Sequence, residues 1–308
     1  MKITVLDPLA ILGSRYGYTR PLDRHDFDGS RATNALGNGG HVPHWAHDAF
    51  PNVGELKRFT NLNNHMGIGG ISEDGFTWST TQQHALGTMG VSKDGRTFRY
   101  VQAGAADLVA GNLEQSAAPI PNHLGRTAAA QNVGDGGQQT PIVFTPGATV
   151  GDANLYSQGT LVISTTPSLG LQYRVAGHAA IASATAFNLY LDPDDRLQIA
   201  LTTSSKYGLH HNPWKNIIQT PTTITAKVIG SAVAAIPTTQ YGWVQSRGSA
   251  AVLINGTPAV TAPVINSATT AGAADVWTAA AQPTANLVGH MMQVGVSGEC
   301  NSVFLCID

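Results

Sequence analysis

The sequence is short of charge. Of its 308 residues only 12% are Asp, Glu, Lys or Arg, about half the usual share, and the formal net charge is −2. Gly, Ala, Thr, Ser, Asn and Gln take the place of the missing charges. Such a surface suits a protein largely covered by neighbours; a neutral, Thr-rich β protein that stays monomeric is the alternative. No Lys/Arg run forms the footprint of a nucleic-acid or anionic-membrane binder, so no direct nucleic-acid partner is expected. No apolar run reaches the ~20 residues that span a bilayer, and Met1 to Asp7 lacks the charged and apolar regions of a signal peptide. No membrane partner is expected, and synthesis in a reducing cytoplasm is.

Cysteine is almost missing too, with only Cys300 and Cys306. If Glu299 to Ile307 is one strand, both point to one face, about 20 Å apart at ~3.3 Å per residue, too far to bridge. They are expected to be reduced, buried small residues.

Motifs of catalysis are also absent. There is no G-x-S-x-G elbow, P-loop or dinucleotide fingerprint, and Met66 to Gly70 follows no convincing strand, which makes it a flexible bend. The densest histidine group, His41, His44 and His47 with Asp48, could bind zinc, but Pro43 and the lack of a helix or strand frame favour surface or interface histidines. Asp192, Asp194 and Asp195 surround Pro193 without the spacing and glycine of a calcium loop, and an Asx-type turn explains them. Nothing points to the paired carboxylates of a glycosidase. His210 to Trp214 reads as a packed corner, with presentation of Trp214 to a partner as the alternative. The expectation is therefore no catalytic residue, no cofactor, no metal and no enzyme.

What is present is strand patterning. Tyr241 to Gln245 has large residues at alternate positions, Arg247-Gly248-Ser249 is expected to break that strand, and Ala251 to Ile254 forms a second one. Asn255-Gly256 is the dipeptide best suited to a tight hairpin. Upstream, Lys93-Asp94-Gly95 is a turn leading into a strand with Phe98 and Tyr100 on one face. Strands are also expected at 142–144, 159–164, 171–176, 186–191 and 197–201, with turns at Pro146-Gly147, Pro167 to Gly170, Gly177-His178 and Asp192 to Asp195. Residues 206–219 read as a connection. Strand patterning restarts at 221–230 and returns at 287–292 and 303–307. Helix content should be low, and there is no strict repeat.

Residues 1–87 differ in character. Their apolar residues are scattered, and the segment alone could not offset an ordering entropy of roughly 1–2 kcal/mol per residue. It reads as an extended arm that orders against another surface, with Tyr16, Tyr18, Trp45, Phe50, Leu56 and Phe59 as candidate anchors; a disordered tail or a part of the main core are the alternatives. The expected organisation is this arm, a small antiparallel β-barrel or sandwich body from 88–115 plus 215–308, and a β-rich insertion at 116–214. The insertion could instead be an integral half of one sandwich.

The stretch from Lys93 to Tyr100 leading to Ala106 to Asn112, then Gly230 to Ala234, Tyr241 to Gly248 and Val288 to Asp308, resembles the capsid decoration, or cement, proteins of tailed bacteriophages. The resemblance covers roughly 88–308 and is tightest at 225–260; its motifs are strand–turn patterns. It implies a tulip-like β-barrel body, often a homotrimer, seated on the exterior of a virion and bound to the major capsid protein. The alternatives are a virion-surface receptor- or glycan-binding β protein, or another capsid or tail structural subunit.

Overall fold

A computed structural model describes residues 2–5, 71–278 and 285–308, which form an all-β architecture of two antiparallel, curled sheets, each a half-barrel. A single 3-10 turn, Pro121–His123, is the only helical element among the described residues. In chain order the strands are β1 (Lys2–Val5), β2 (Ile71–Asp74), β3 (Met89–Val91), β4 (Thr97–Gln102) and β5 (Leu113–Gln115). Then come β6 (Arg126–Thr127), β7 (Ile142–Phe144), β8 (Thr160–Ile163), β9 (Gln172–His178), β10 (Phe187–Leu191) and β11 (Lys206–His210). The last group is β12 (Ile218–Gln219), β13 (Val228–Ala232), β14 (Tyr241–Leu253), β15 (Pro263–Asn266), β16 (Ala274–Val276), β17 (Leu287–Met291) and β18 (Cys300–Cys306).

The larger sheet has twelve strands in the order β16-β15-β17-β18-β14-β4-β3-β1-β2, with β13, β5 and β12 branching from β14. The smaller has six, ordered β6-β11-β8-β9-β10-β7, and shares no ladder with the larger. Each has its own core. Phe144, Tyr156, Leu161, Leu189 and Tyr207 are central to the smaller one, with Phe144 and Tyr207 edge-to-face at 4.6 Å. In the larger sheet, Val252, Val264, Val288, Val303 and Leu305 fill one cluster and Val101, Leu108, Ile217, Ile236 and Val244 another.

The stretch around Tyr241 organises the larger sheet, though not as two strands. β14 runs unbroken for 13 residues. Just before Gly248 it carries a bulge instead of a break: Gln245 pairs Phe98 and Arg247 pairs Thr97, Ser246 of β14 being extra. Gly248 takes φ +89 there, and a Cβ would stand 3.0 Å from Arg96 Cγ, so a glycine lets the strand bend and continue. The first half pairs β4 and the second half pairs β18. Asn255-Gly256 is correspondingly a bend and not a hairpin, since β15 pairs β16 and β17 and never β14.

Other expectations are corrected by hydrogen bonding. Leu197–Leu201 is not a strand; its Leu201 makes only an isolated bridge to Gln131. Lys206–His210, read as connection, is β11, paired with β8 from Tyr207–Ile163 to His210–Thr160. Gly177-His178 ends β9 and does not turn. Both cysteines are exposed, because in β18 the alternation buries Asn301, Val303 and Leu305 and turns Cys300 and Cys306 outward. Within 1–87, β1 pairs β2 and also β3, and Ser79 bridges Tyr241, so these parts belong to the larger sheet.

Candidate interaction surface

The outer face of β14, β18 and β17 is the broadest feature with a functional reading. Directly paired residues share a face, so Arg247–Cys306, Ser249–Phe304, Ala251–Ser302 and Leu253–Cys300 form four rows, and His290 extends the Phe304 row onto β17. Phe304 is 43% exposed, and Leu287 and Met292 about half exposed. Ser302 Oγ donates weakly to Met292 Sδ at 3.5 Å, placing that thioether over the same rows. β14, β17 and β18 hold 13, 5 and 7 residues, among which Arg247 is the one Asp, Glu, Lys or Arg. The other face of the same strands buries Ala250, Val252, Val288, Met291, Val303 and Leu305. The face is therefore supported from beneath by a packed aliphatic core.

A second region lies where the two sheets meet. A cavity of about 430 Å³ there is lined by Gln158, Thr160, His210, His211, Asn212 and Lys227, among others. Burial pulls His211 down to about 4, with Lys215, His123 and His210 adding repulsion, and burial also lowers His210 and Lys215. The Nδ1 of His211 is shielded from solvent and has no hydrogen-bond partner.

Glu114 is a separate oddity. It lies on β5, fully buried, and neither carboxylate oxygen has a partner. Its cross-strand neighbours are Gln219 and Gly230, and a Cβ at Gly230 would stand 2.7 Å from the carbonyl oxygen of Gln245. Burial raises this carboxyl well above the ordinary glutamate range and so favours its protonated, uncharged form.

The candidate anchors Tyr16, Tyr18, Trp45, Phe50, Leu56 and Phe59 lie outside the described residues, as do His41, His44, His47, Asp48 and the Met66 to Gly70 bend. No group of three or more metal-ligating side chains comes together among the described residues. The aspartates at 192–195 do form an Asx turn: Asp194 N–H donates to Asp192 Oδ1 at 3.4 Å, and Asp195 accepts the backbone N–H of Arg174. Trp214 does sit in a packed corner. Its indole lies against Gly87, where a Cβ would be 2.5 Å from Cδ1, and Arg99 covers its ring at 5.6 Å. The histidine group at the junction was not foreseen, because His123, His178 and His211 are far apart in sequence and only the fold brings them together. The exposed Phe304 was legible in principle, since Asn301, Val303 and Leu305 form the alternate set.

No known protein family, curated protein or solved structure matches this chain. No helix among the described residues is long and apolar enough to cross a membrane.

Proposed function

We propose that this chain is a structural virion protein that binds the outside of an assembled phage capsid and stabilises it. The observation that carries the reading is the β14–β18–β17 face, which exposes Phe304, Leu287 and Met292 beside small uncharged residues and only one formal charge. Exposed apolar area of this kind marks contact surfaces, and low charge at the centre of a patch is the composition of an interface core. The resemblance of 88–308 to capsid decoration proteins supports the same reading and adds a homotrimer, the major capsid protein as partner and the capsid exterior as location. A ligand that binds only the assembled shell stabilises it by mass action, and a closed oligomer adds avidity. The work required is mechanical, with no catalytic residue or cofactor.

The test is cosedimentation of the purified chain with undecorated assembled capsids and, separately, with unassembled capsid subunits. Retention on the shells alone, with a higher temperature of shell disruption, is expected. Failure to bind assembled shells would defeat the reading.

A second reading, a glycan-binding virion-surface protein, is favoured by one observation. Trp277, 37% exposed, is flanked by Val276 and Thr278, which line a cavity of about 440 Å³ with Thr222, Thr223, Asn266 and Asp275. The lining offers hydroxyl, amide and carboxylate groups that can hydrogen-bond a sugar, and Trp277 is next to it in the chain without lining it. A glycan screen with a specific hit abolished by Trp277→Ala would favour it over the first reading.

A further inference from the structure

Residues 154–158 form a turn of the smaller sheet's core that also holds the larger sheet's side of the molecule. Asn154 and Gln158, at its two ends, take positive φ of 59 and 62. The side-chain amides of Gln158 and Gln82 exchange hydrogen bonds at 3.3 and 3.1 Å, and Gln158 Oε1 accepts the Leu86 N–H at 2.9 Å. Lys215 Nζ donates to the Asn154 carbonyl at 2.5 Å and to Ser157 Oγ at 2.8 Å. Asn212 Nδ2 donates to the Gln158 carbonyl at 3.0 Å. These polar contacts fasten the turn to segments 82–86 and 212–215.

The middle of the turn is wired to histidines. Tyr156 is fully buried, and its ring lies 4.8 Å from His211, 5.6 Å from His123 and 5.7 Å from His178. The backbone N–H of Tyr156 donates to His178 Nε2 at 3.0 Å, so that nitrogen carries no proton, and Nδ1–H donates to the Ala179 carbonyl at 2.6 Å. His123 Nε2 stands 2.9 Å from the Thr149 carbonyl and donates to it, leaving Nδ1 to accept the Tyr156 hydroxyl at 2.6 Å. Positive charge on His178 or His211 is opposed by Lys215 and His123 and, for His211, also by His210. Phe187 packs on the remaining side of His178 at 5.3 Å. A proton added to Nε2 of His178 would end the Tyr156 bond and meet no carboxylate among these groups.

We propose that the 154–158 turn is an acid-released latch between the two sheets, opened when His178 and His211 take up protons. The inference does not depend on the capsid reading. The sign follows from the neutral imidazoles of the closed form. Both have values below the ordinary histidine 6.5, His211 at about 4, with burial the main cause. Closure is therefore fully stable above about pH 6.5 and weakens as the pH falls from there toward 4.

Hydrogen exchange on the full chain at pH 7.0 and pH 4.5, corrected for the chemical exchange rate, tests this. Protection of the Tyr156 and Leu86 amides, and of the His178 amide that donates to Asn154 Oδ1, should fall at least ten-fold at pH 4.5, while β10 and β14 keep theirs. Unchanged protection at the turn, or equal loss everywhere, would overturn the proposal. His178→Gln keeps an acceptor for the Tyr156 N–H and cannot titrate, so it should hold the turn protected at pH 4.5; loss equal to the wild type overturns it. Should that variant fail to fold, an NMR titration of the wild-type imidazoles decides. Both imidazoles should titrate below the ordinary histidine value, His211 near 4, and ordinary titration near 6.5 would refute the latch.

Discussion

Arg99 and Asp308 stand 209 positions apart in sequence, yet Nε of Arg99 donates to Oδ2 of Asp308 at 2.6 Å. Ser246 Oγ donates to the same oxygen at 3.1 Å, while Arg99 also donates to the Gly87 carbonyl at 3.1 Å and covers Trp214. One guanidinium thus ties β4, the Leu86-Gly87 segment and the corner to the end of β18. Burial pushes the Asp308 carboxyl up, but the Arg99 and Ser246 hydrogen bonds and the Arg99 charge outweigh it and hold it below 3.8.

Asp308→Asn should therefore cost about 1–2 kcal/mol at pH 7, read from the urea midpoint. A lowered folded value means that this contribution is present above about pH 3.8 and lost as the pH falls through the folded value. The difference between variant and wild type should accordingly shrink as the pH falls below 3.8.

Glu114 gives the opposite slope. Its folded value lies well above 4.5, so the stability tied to its protonated form is full below that and declines as the pH rises toward the folded value. Glu114→Gln should match the wild type near pH 5 and exceed it by about 1–2 kcal/mol at pH 8–9. Thermal denaturation across that range checks it, and identical slopes for the two proteins would contradict it.

Gly289 sits on β17 opposite Leu305, with a Cβ built there colliding with the carbonyl oxygen of Phe304. The obstruction is backbone and cannot swing aside. Gly289→Ala should destabilise by about 3 kcal/mol or more and raise exposure of the core cluster around Val288 and Val303, measurable by dye binding and the urea midpoint.

Phe304→Lys tests the uncharged face separately from the fold. Its ring is 43% exposed, so the cost to stability should stay under about 1 kcal/mol. Retention on assembled capsids should fall at least ten-fold in the cosedimentation assay. Wild-type retention would mean that this face does not contact the shell.

How far the chain could be read from its sequence follows from the range of the interactions. The Lys93-Asp94-Gly95 turn and the Phe98/Tyr100 strand are local, and both stand in the β3–β4 hairpin. Local turn chemistry likewise gave β7, β8, β10 and β17. β14 was misread because Arg247-Gly248-Ser249 looks like a breaker until two different strands, β4 and β18, are found pairing its halves. β11 was missed because the Lys206-Tyr207-Gly208-Leu209-His210 run shows a pattern only against β8. The Tyr156 histidine group and the unpartnered Glu114 were invisible for the same reason, being made by residues from separate strands and turns. The low charge was visible at once, but not that Arg247 alone would mark one whole face.

The chain departs from the larger sheet on β5 and re-enters it on β12, and these two are immediate ladder neighbours, Gln115 opposite Ile218. The doorway is one strand spacing wide, about 4.8 Å. The chain between about 120 and 211 leaves and returns through these two adjoining strands, with the Gln158 and Lys215 contacts as further ties, so a foreign sequence spliced in its place would ask no other strand of that sheet to change register. The larger sheet is in this sense a ready-made mount, to which an engineer could fit cargo of unrelated shape.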